Sequence, residues 1–65
     1  MCIERLNKKL EFVNEQIKIY KKNLLQDIEK EEMVPATVDL LMIRDLKEQQ
    51  LLLKRLISEI KDEEI

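Results

Sequence analysis

The sequence predicts an all-α fold: an antiparallel two-helix hairpin that resembles a coiled coil. Three observations predict it. The 65-residue chain has no glycine and one proline, apolar residues recur at steps of three and four in each half, and Pro35 separates the halves. A seven-residue repeat lays a narrow apolar seam along a helix, and such a seam needs a second helix to cover it.

The first helix is expected over residues 3–31. Its seam starts at Ile3 and Leu6. The seam continues through Leu10, Val13, Ile17, Tyr20 and Leu24. Pro35 lacks a backbone N–H and cannot continue this helix, which places the turn at residues 32–37. A second helix can begin at Pro35 as a first-turn proline, or at Val38 with Thr37 as its N-cap. Thr37 is preferred, which gives a second helix over residues 38–62 in a single domain spanning residues 1–65.

The second helix carries a matching seam. Its expected residues are Met42, Leu46, Gln49, Leu53, Leu56 and Ile60. When the two seams are paired antiparallel, the numbers of paired residues add up to 69 or 70, as for Ile17 with Leu53. In that register Tyr20 lies opposite Gln49, and the hydroxyl and the amide are expected to form a hydrogen bond.

Apolar residues outside both seams predict a second buried face. Among them Ile43 and Ile57 form, with Gln50, a row at spacing seven beside the second seam. A 65-residue hairpin with this much uncovered apolar surface is expected to associate, because small domains commonly need oligomerisation for stability. We therefore expect a homodimeric four-helix bundle, or a complex with another helical protein. The expected partner interface is Phe12, Ile19, Ile43, Leu52 and Ile57.

The composition excludes most catalytic chemistry. The chain has no histidine, no glycine and one serine, which removes hydrolase triads and glycine-rich phosphate loops. Its acidic cluster, Glu29 to Glu32, lacks the spacing of a calcium loop, so no metal or cofactor is expected. The expected function is that of a small non-enzymatic protein–protein interaction module or regulator.

Two other functions stay open. A basic face on the first helix, with Lys18, Lys21 and Lys22, suits a nucleic-acid-binding four-helix bundle. The third possibility is a small phosphatase-type signalling hairpin. However, the second helix has three leucines after Gln49-Gln50 and no Ser-Gln-x-x-Asp signature of the hairpin aspartyl-phosphate phosphatases.

The net charge of −2 gives no general attraction to nucleic acid or to an anionic membrane. There is neither an 18-residue apolar run nor a signal peptide, which favours a cytoplasmic protein without membrane association. Cys2 is expected at a frayed terminus, where its thiol can cross-link two protomers but has no partner within the chain.

Overall fold

A computed structural model describes residues 3–63, excepting the side chain of Glu63, as two α-helices. Helix α1 spans Ile3–Glu29 and helix α2 spans Met33–Glu63. They pack antiparallel into a rod of 51 × 15 × 13 Å. The predicted all-α helical hairpin is confirmed. Cys2 lies outside the described residues.

The end of α1 is closed by backbone hydrogen bonds. Glu32 N–H donates to the carbonyl of Asp27 at 2.8 Å, and Glu31 N–H donates to the carbonyl of Ile28 at 3.0 Å. This pair of bonds is the Schellman pattern, which requires a left-handed residue after the helix. Glu31 fills that position with φ of 59°. A glutamate does so at a conformational cost that the usual glycine avoids.

Helix α2 begins five residues before the predicted start. The N–H of Ala36 donates to the carbonyl of Glu32 at 3.2 Å, which makes Glu32 the N-cap of α2. Pro35 fits within the first turn, because the N–H groups there have no partner inside the helix. Thr37 is therefore not the N-cap: it lies inside α2, and its Oγ1 donates to the carbonyl of Met33 at 2.9 Å.

The seam of α1 lies between the two helices. Val13 and Ile17 are buried, and together with Leu46 and Leu53 of α2 they form the core of the hairpin. Leu6, Leu10 and Tyr20 are partly buried and pack against this core, and Leu24 is half-buried. Burial of these side chains provides the main stabilisation of the fold.

The seam of α2 differs from the predicted one by a rotation of the helix. The buried residues of α2 are Ala36, Asp39, Ile43, Leu46, Leu53 and Ile57. Gln50 is half-buried on this line, whereas Gln49, predicted to be a core residue, is exposed. Met42, Leu56 and Ile60 are half-buried. Of the residues predicted for the seam of α2, Leu46 and Leu53 alone are buried.

The register of the two helices also differs. The Nε2 group of Gln50 donates to Oδ1 of Asn14 at 2.7 Å. These two residue numbers add up to 64, rather than 69 or 70. In an antiparallel hairpin, the numbers of two facing residues add up to about twice the residue number at the centre of the turn. The sum is lower than predicted because the turn lies at Glu31–Glu32 instead of Val34–Pro35. The predicted polar layer of Tyr20 and Gln49 is therefore replaced by Asn14 and Gln50.

Candidate protein-interaction surfaces

The hairpin leaves many large apolar side chains in solvent. In residues 3–63 these are Phe12, Ile19, Leu25, Ile28, Met33, Val34, Val38, Leu40, Leu41, Leu51 and Leu52. Soluble monomers rarely expose contiguous apolar patches of large size, so the position of these residues around the rod identifies the candidate interaction surfaces.

Two of the five predicted interface residues are not available for a partner. Ile43 and Ile57 are 8% and 7% exposed, because both lie on the seam of α2 and face α1. Their row at spacing seven with Gln50 is the seam itself and not a second face. Phe12, Ile19 and Leu52 are exposed, at 62%, 47% and 56%.

The seam divides the surface of the rod into two sides. An open cavity of about 410 Å³ brings Asn7 of α1 next to Lys54 and Lys61 of α2. Each of these three residues lies at an edge of the seam on its own helix. The edge of α1 that contains Asn7 and the edge of α2 that contains Lys54 and Lys61 therefore lie on the same side of the rod. The opposite edges of the seam, which include Gln16 of α1 and Leu56 of α2, lie together on the other side of the rod. Both residues are half-buried, as expected next to a seam.

We call the side that contains Gln16 and Leu56 the Phe12 side. Helical spacing assigns to it, on α1, Phe12, Gln16, Ile19, Asn23 and Gln26, and on α2, Val38, Met42, Asp45, Gln49, Leu52 and Leu56. The same rows continue to charged residues at their ends, Arg5 and Lys9 of α1, Lys30 directly after it and Glu59 of α2. Between those ends, Asp45 carries the single charge. The three predicted interface residues that stay exposed, Phe12, Ile19 and Leu52, all lie on this side.

We call the side that contains the cavity at Asn7, Lys54 and Lys61 the lysine side. It is the row next to the seam formed by Asn7, Asn14, Lys21 and Ile28 of α1 and by Met33, Leu40, Lys47, Lys54 and Lys61 of α2. No acidic residue belongs to this row. In the described part of the chain, the one ion pair joins Lys18 to Glu15 at 3.7 Å, so the four lysines of the row have no carboxylate within 4.0 Å.

The predicted nucleic-acid residues do not form one face. Lys21 belongs to the lysine side, and Lys18 lies in the next row out, where it pairs with Glu15. Lys22 lies on the back of α1, away from α2, as its four-residue spacing from Lys18 requires. The basic surface of the hairpin therefore combines Lys21 with lysines of α2 that the sequence did not single out.

Two carboxyl groups meet near the turn. Asp39 is 7% exposed, and its Oδ2 atom has no hydrogen-bond partner. A hydrogen bond with Asp27, burial, and the negative charge of Asp27 together raise the pKa of Asp39. Within residues 3–63, no group of three acidic, histidine or cysteine side chains is arranged to hold a metal ion.

No helix in the described range is long and apolar enough to cross a membrane. Comparison of the chain with protein-family models, with curated proteins and with solved structures finds no match. The two sides of the hairpin are therefore the features that bear on its function.

Proposed function

We propose that the protein is a non-enzymatic interaction module that pairs with a second copy of itself through the Phe12 side, forming a four-helix bundle. The observation that carries this proposal is the exposure of Phe12, Ile19 and Leu52 on the middle part of a side where Asp45 is the single charge and the other charges lie towards the ends. Apolar residues without charge at the centre are typical of interfaces between identical subunits.

The surface area of the hairpin supports a second copy. The chain exposes 5402 Å² at a mass of 7.9 kDa. A compact folded protein of that mass exposes about 4,400 Å². The excess of about 1,000 Å² is slightly more than the roughly 800 Å² that each partner buries in a standard stable interface. One dimer interface therefore removes the surplus.

The geometry of two hairpins also suits this pairing. Each Phe12 side is formed by two antiparallel helices, and two such surfaces pack at about 20° in four-helix bundles. A twofold axis places the same residues of both copies at the interface, so one substitution is felt twice. This doubling makes Leu52 a sensitive position.

The test compares two neighbouring leucines. Leu51 and Leu52 are exposed to a similar extent, 67% and 56%, but Leu52 lies on the Phe12 side and Leu51 lies one row beyond the lysine side. Sedimentation equilibrium is measured under reducing conditions for the unchanged protein, Leu52→Asp and Leu51→Asp, with helix content measured at the same concentrations. We expect a dimer, a helical monomer and a dimer, respectively.

Two results contradict the proposal. A monomeric unchanged protein with full helix content would show that a second copy does not cover the Phe12 side. Dimers of Leu52→Asp as stable as those of the unchanged protein would show that the interface lies elsewhere.

A further inference from the structure

We propose that the lysine side binds an acidic amphipathic helix of another protein, which lies along the hairpin as an additional helix. This inference is independent of self-association, because it concerns the opposite side of the rod. It depends on three properties of the lysine side: its charge, its apolar residues and its length.

The charge of this side is mostly uncompensated: one acidic residue, Asp62, lines the cavity that also contains Lys54 and Lys61. Lys21, Lys47, Lys54 and Lys61 have no carboxylate within 4.0 Å in the described range, although the whole chain has a net charge of −2. Most of the acidic residues therefore lie elsewhere on the rod. A partner with carboxylates at matching positions gains electrostatic complementarity, which increases the association rate and the specificity.

Apolar residues are interleaved with these lysines. Leu40 is 55% exposed and Ile28 is also exposed, both within the row, and Leu51, one row beyond it, is 67% exposed. Apolar side chains recurring among charged ones are suited to the apolar stripe of an amphipathic helix. They offer little to a phosphate backbone. The two aromatic residues are also absent from this side, since Phe12 lies on the opposite one and Tyr20 packs against the core, which argues against stacking of single-stranded bases.

The length of the lysine row fits a helix. Lys47, Lys54 and Lys61 are seven residues apart, so they span about 21 Å at 1.5 Å per residue. An antiparallel or parallel helix with glutamates at the same seven-residue spacing meets each lysine in turn. The shallow groove beside two packed helices is the usual position of another bundle helix.

The experiment uses a synthetic 21-residue peptide with leucine at the seam positions of a seven-residue repeat and glutamate at the others. A peptide of the same composition in scrambled order is the control. Binding to the full chain is measured by fluorescence anisotropy, in parallel with a 21-nucleotide single-stranded DNA. We expect the amphipathic peptide to bind about tenfold more tightly than either, and more weakly as salt is raised.

Variants assign the site. Lys47→Glu/Lys54→Glu reverses two charges of the lysine side and should weaken peptide binding at least about tenfold. Lys8→Glu/Lys22→Glu makes the same change in net charge on the back of α1 and should alter binding less than about twofold. The monomeric Leu52→Asp variant should bind as well as the unchanged protein, which separates this result from the test of self-association.

Four outcomes overturn the inference. They are tighter binding of the DNA than of the peptide, equal binding of the scrambled peptide, equal loss in the two double variants, and no detectable peptide binding. Tighter binding of the DNA would assign the lysine side to nucleic acid instead.

Discussion

Gln50 donates a hydrogen bond of 2.7 Å to Oδ1 of Asn14, a residue 36 positions earlier in the chain. It joins a side chain of α1 to one of α2, as the carboxyl pair of Asp27 and Asp39 does near the turn. Gln50 occupies a seam position, where an apolar residue would pack equally well. A polar pair at such a position fixes the register, because any other alignment leaves half-buried amides without partners.

The first prediction tests this register with two adjacent glutamines. Gln50→Ala should lower the free energy of unfolding by about 1 kcal/mol, since it removes the hydrogen bond to Asn14. Gln49→Ala, at an exposed position, should change it by less than about 0.5 kcal/mol. Urea unfolding followed by circular dichroism measures both. A larger loss for Gln49→Ala would restore the register in which Tyr20 faces Gln49.

The turn gives a second prediction. Glu31→Gly should raise the free energy of unfolding by about 1 kcal/mol, because glycine adopts the left-handed conformation without steric cost. Glu31→Gln removes the charge alone and separates electrostatic from steric effects. Thermal unfolding of the two variants and of the unchanged protein is the measurement. Destabilisation by Glu31→Gly would show that the residue after α1 does not have positive φ.

The carboxyl pair gives a third prediction, on pH. The pKa of Asp39 is raised above its usual value of about 3.9, so its contribution to stability is fully present below that pH and is lost as pH rises through the folded-state pKa. Asp39→Asn, which resembles the protonated form, should therefore stabilise the hairpin at pH 7 and have little effect at pH 3. Urea unfolding at both pH values checks this. A gain at pH 3 equal to that at pH 7 would exclude a raised pKa as the cause.

Truncation of the core gives the fourth prediction. Leu53→Ala should cost about 2–5 kcal/mol, because Leu53 belongs to the buried core, and Leu51→Ala, two positions earlier and exposed, should change stability by less than about 0.5 kcal/mol. Chemical unfolding of the two variants is compared. Equal effects would show that α2 is rotated relative to the structure described above.

The position of Ile57 extends this prediction to charge. Ile57→Asp should unfold the hairpin instead of only preventing association, because the side chain is buried between α1 and α2. Circular dichroism distinguishes these results. A helical monomer would mean that Ile57 faces a partner after all.

The seam of α1 could be predicted from the sequence because the competing row is short. Phe12 and Ile19 are also seven residues apart, but their row continues to Arg5 and Gln26, so the seam through Val13 and Ile17 is the one that stays apolar along the helix. In α2 consecutive apolar residues allow two solutions. Met42 and Ile43 are adjacent, and so are Leu56 and Ile57, which permits two seams that differ by one residue and share Leu46 and Leu53.

The position of the turn determines which of these two seams faces α1, and the sequence does not predict that position. The chain has no glycine, so nothing marked Glu31 as the left-handed residue. Pro35 is compatible both with a break before α2 and with the first turn of α2, and Thr37 is a common N-cap residue, so the sequence favours the later start. The pairing of Asp27 with Asp39 could not be predicted for another reason. Acidic residues are almost never buried without a partner, so a sequence pattern gives no ground to place Asp39 on the seam.

The proportions of the rod affect how it rotates in solution. It is more than three times as long as it is wide, and the N–H bonds of both helices point nearly along its 51 Å axis. These bonds report end-over-end rotation, so ¹⁵N transverse relaxation rates should be uniform along both helices and higher than in a sphere of equal mass. Two rods joined side by side would become thicker without becoming longer. Association would therefore double the mass while making the rotation more nearly isotropic.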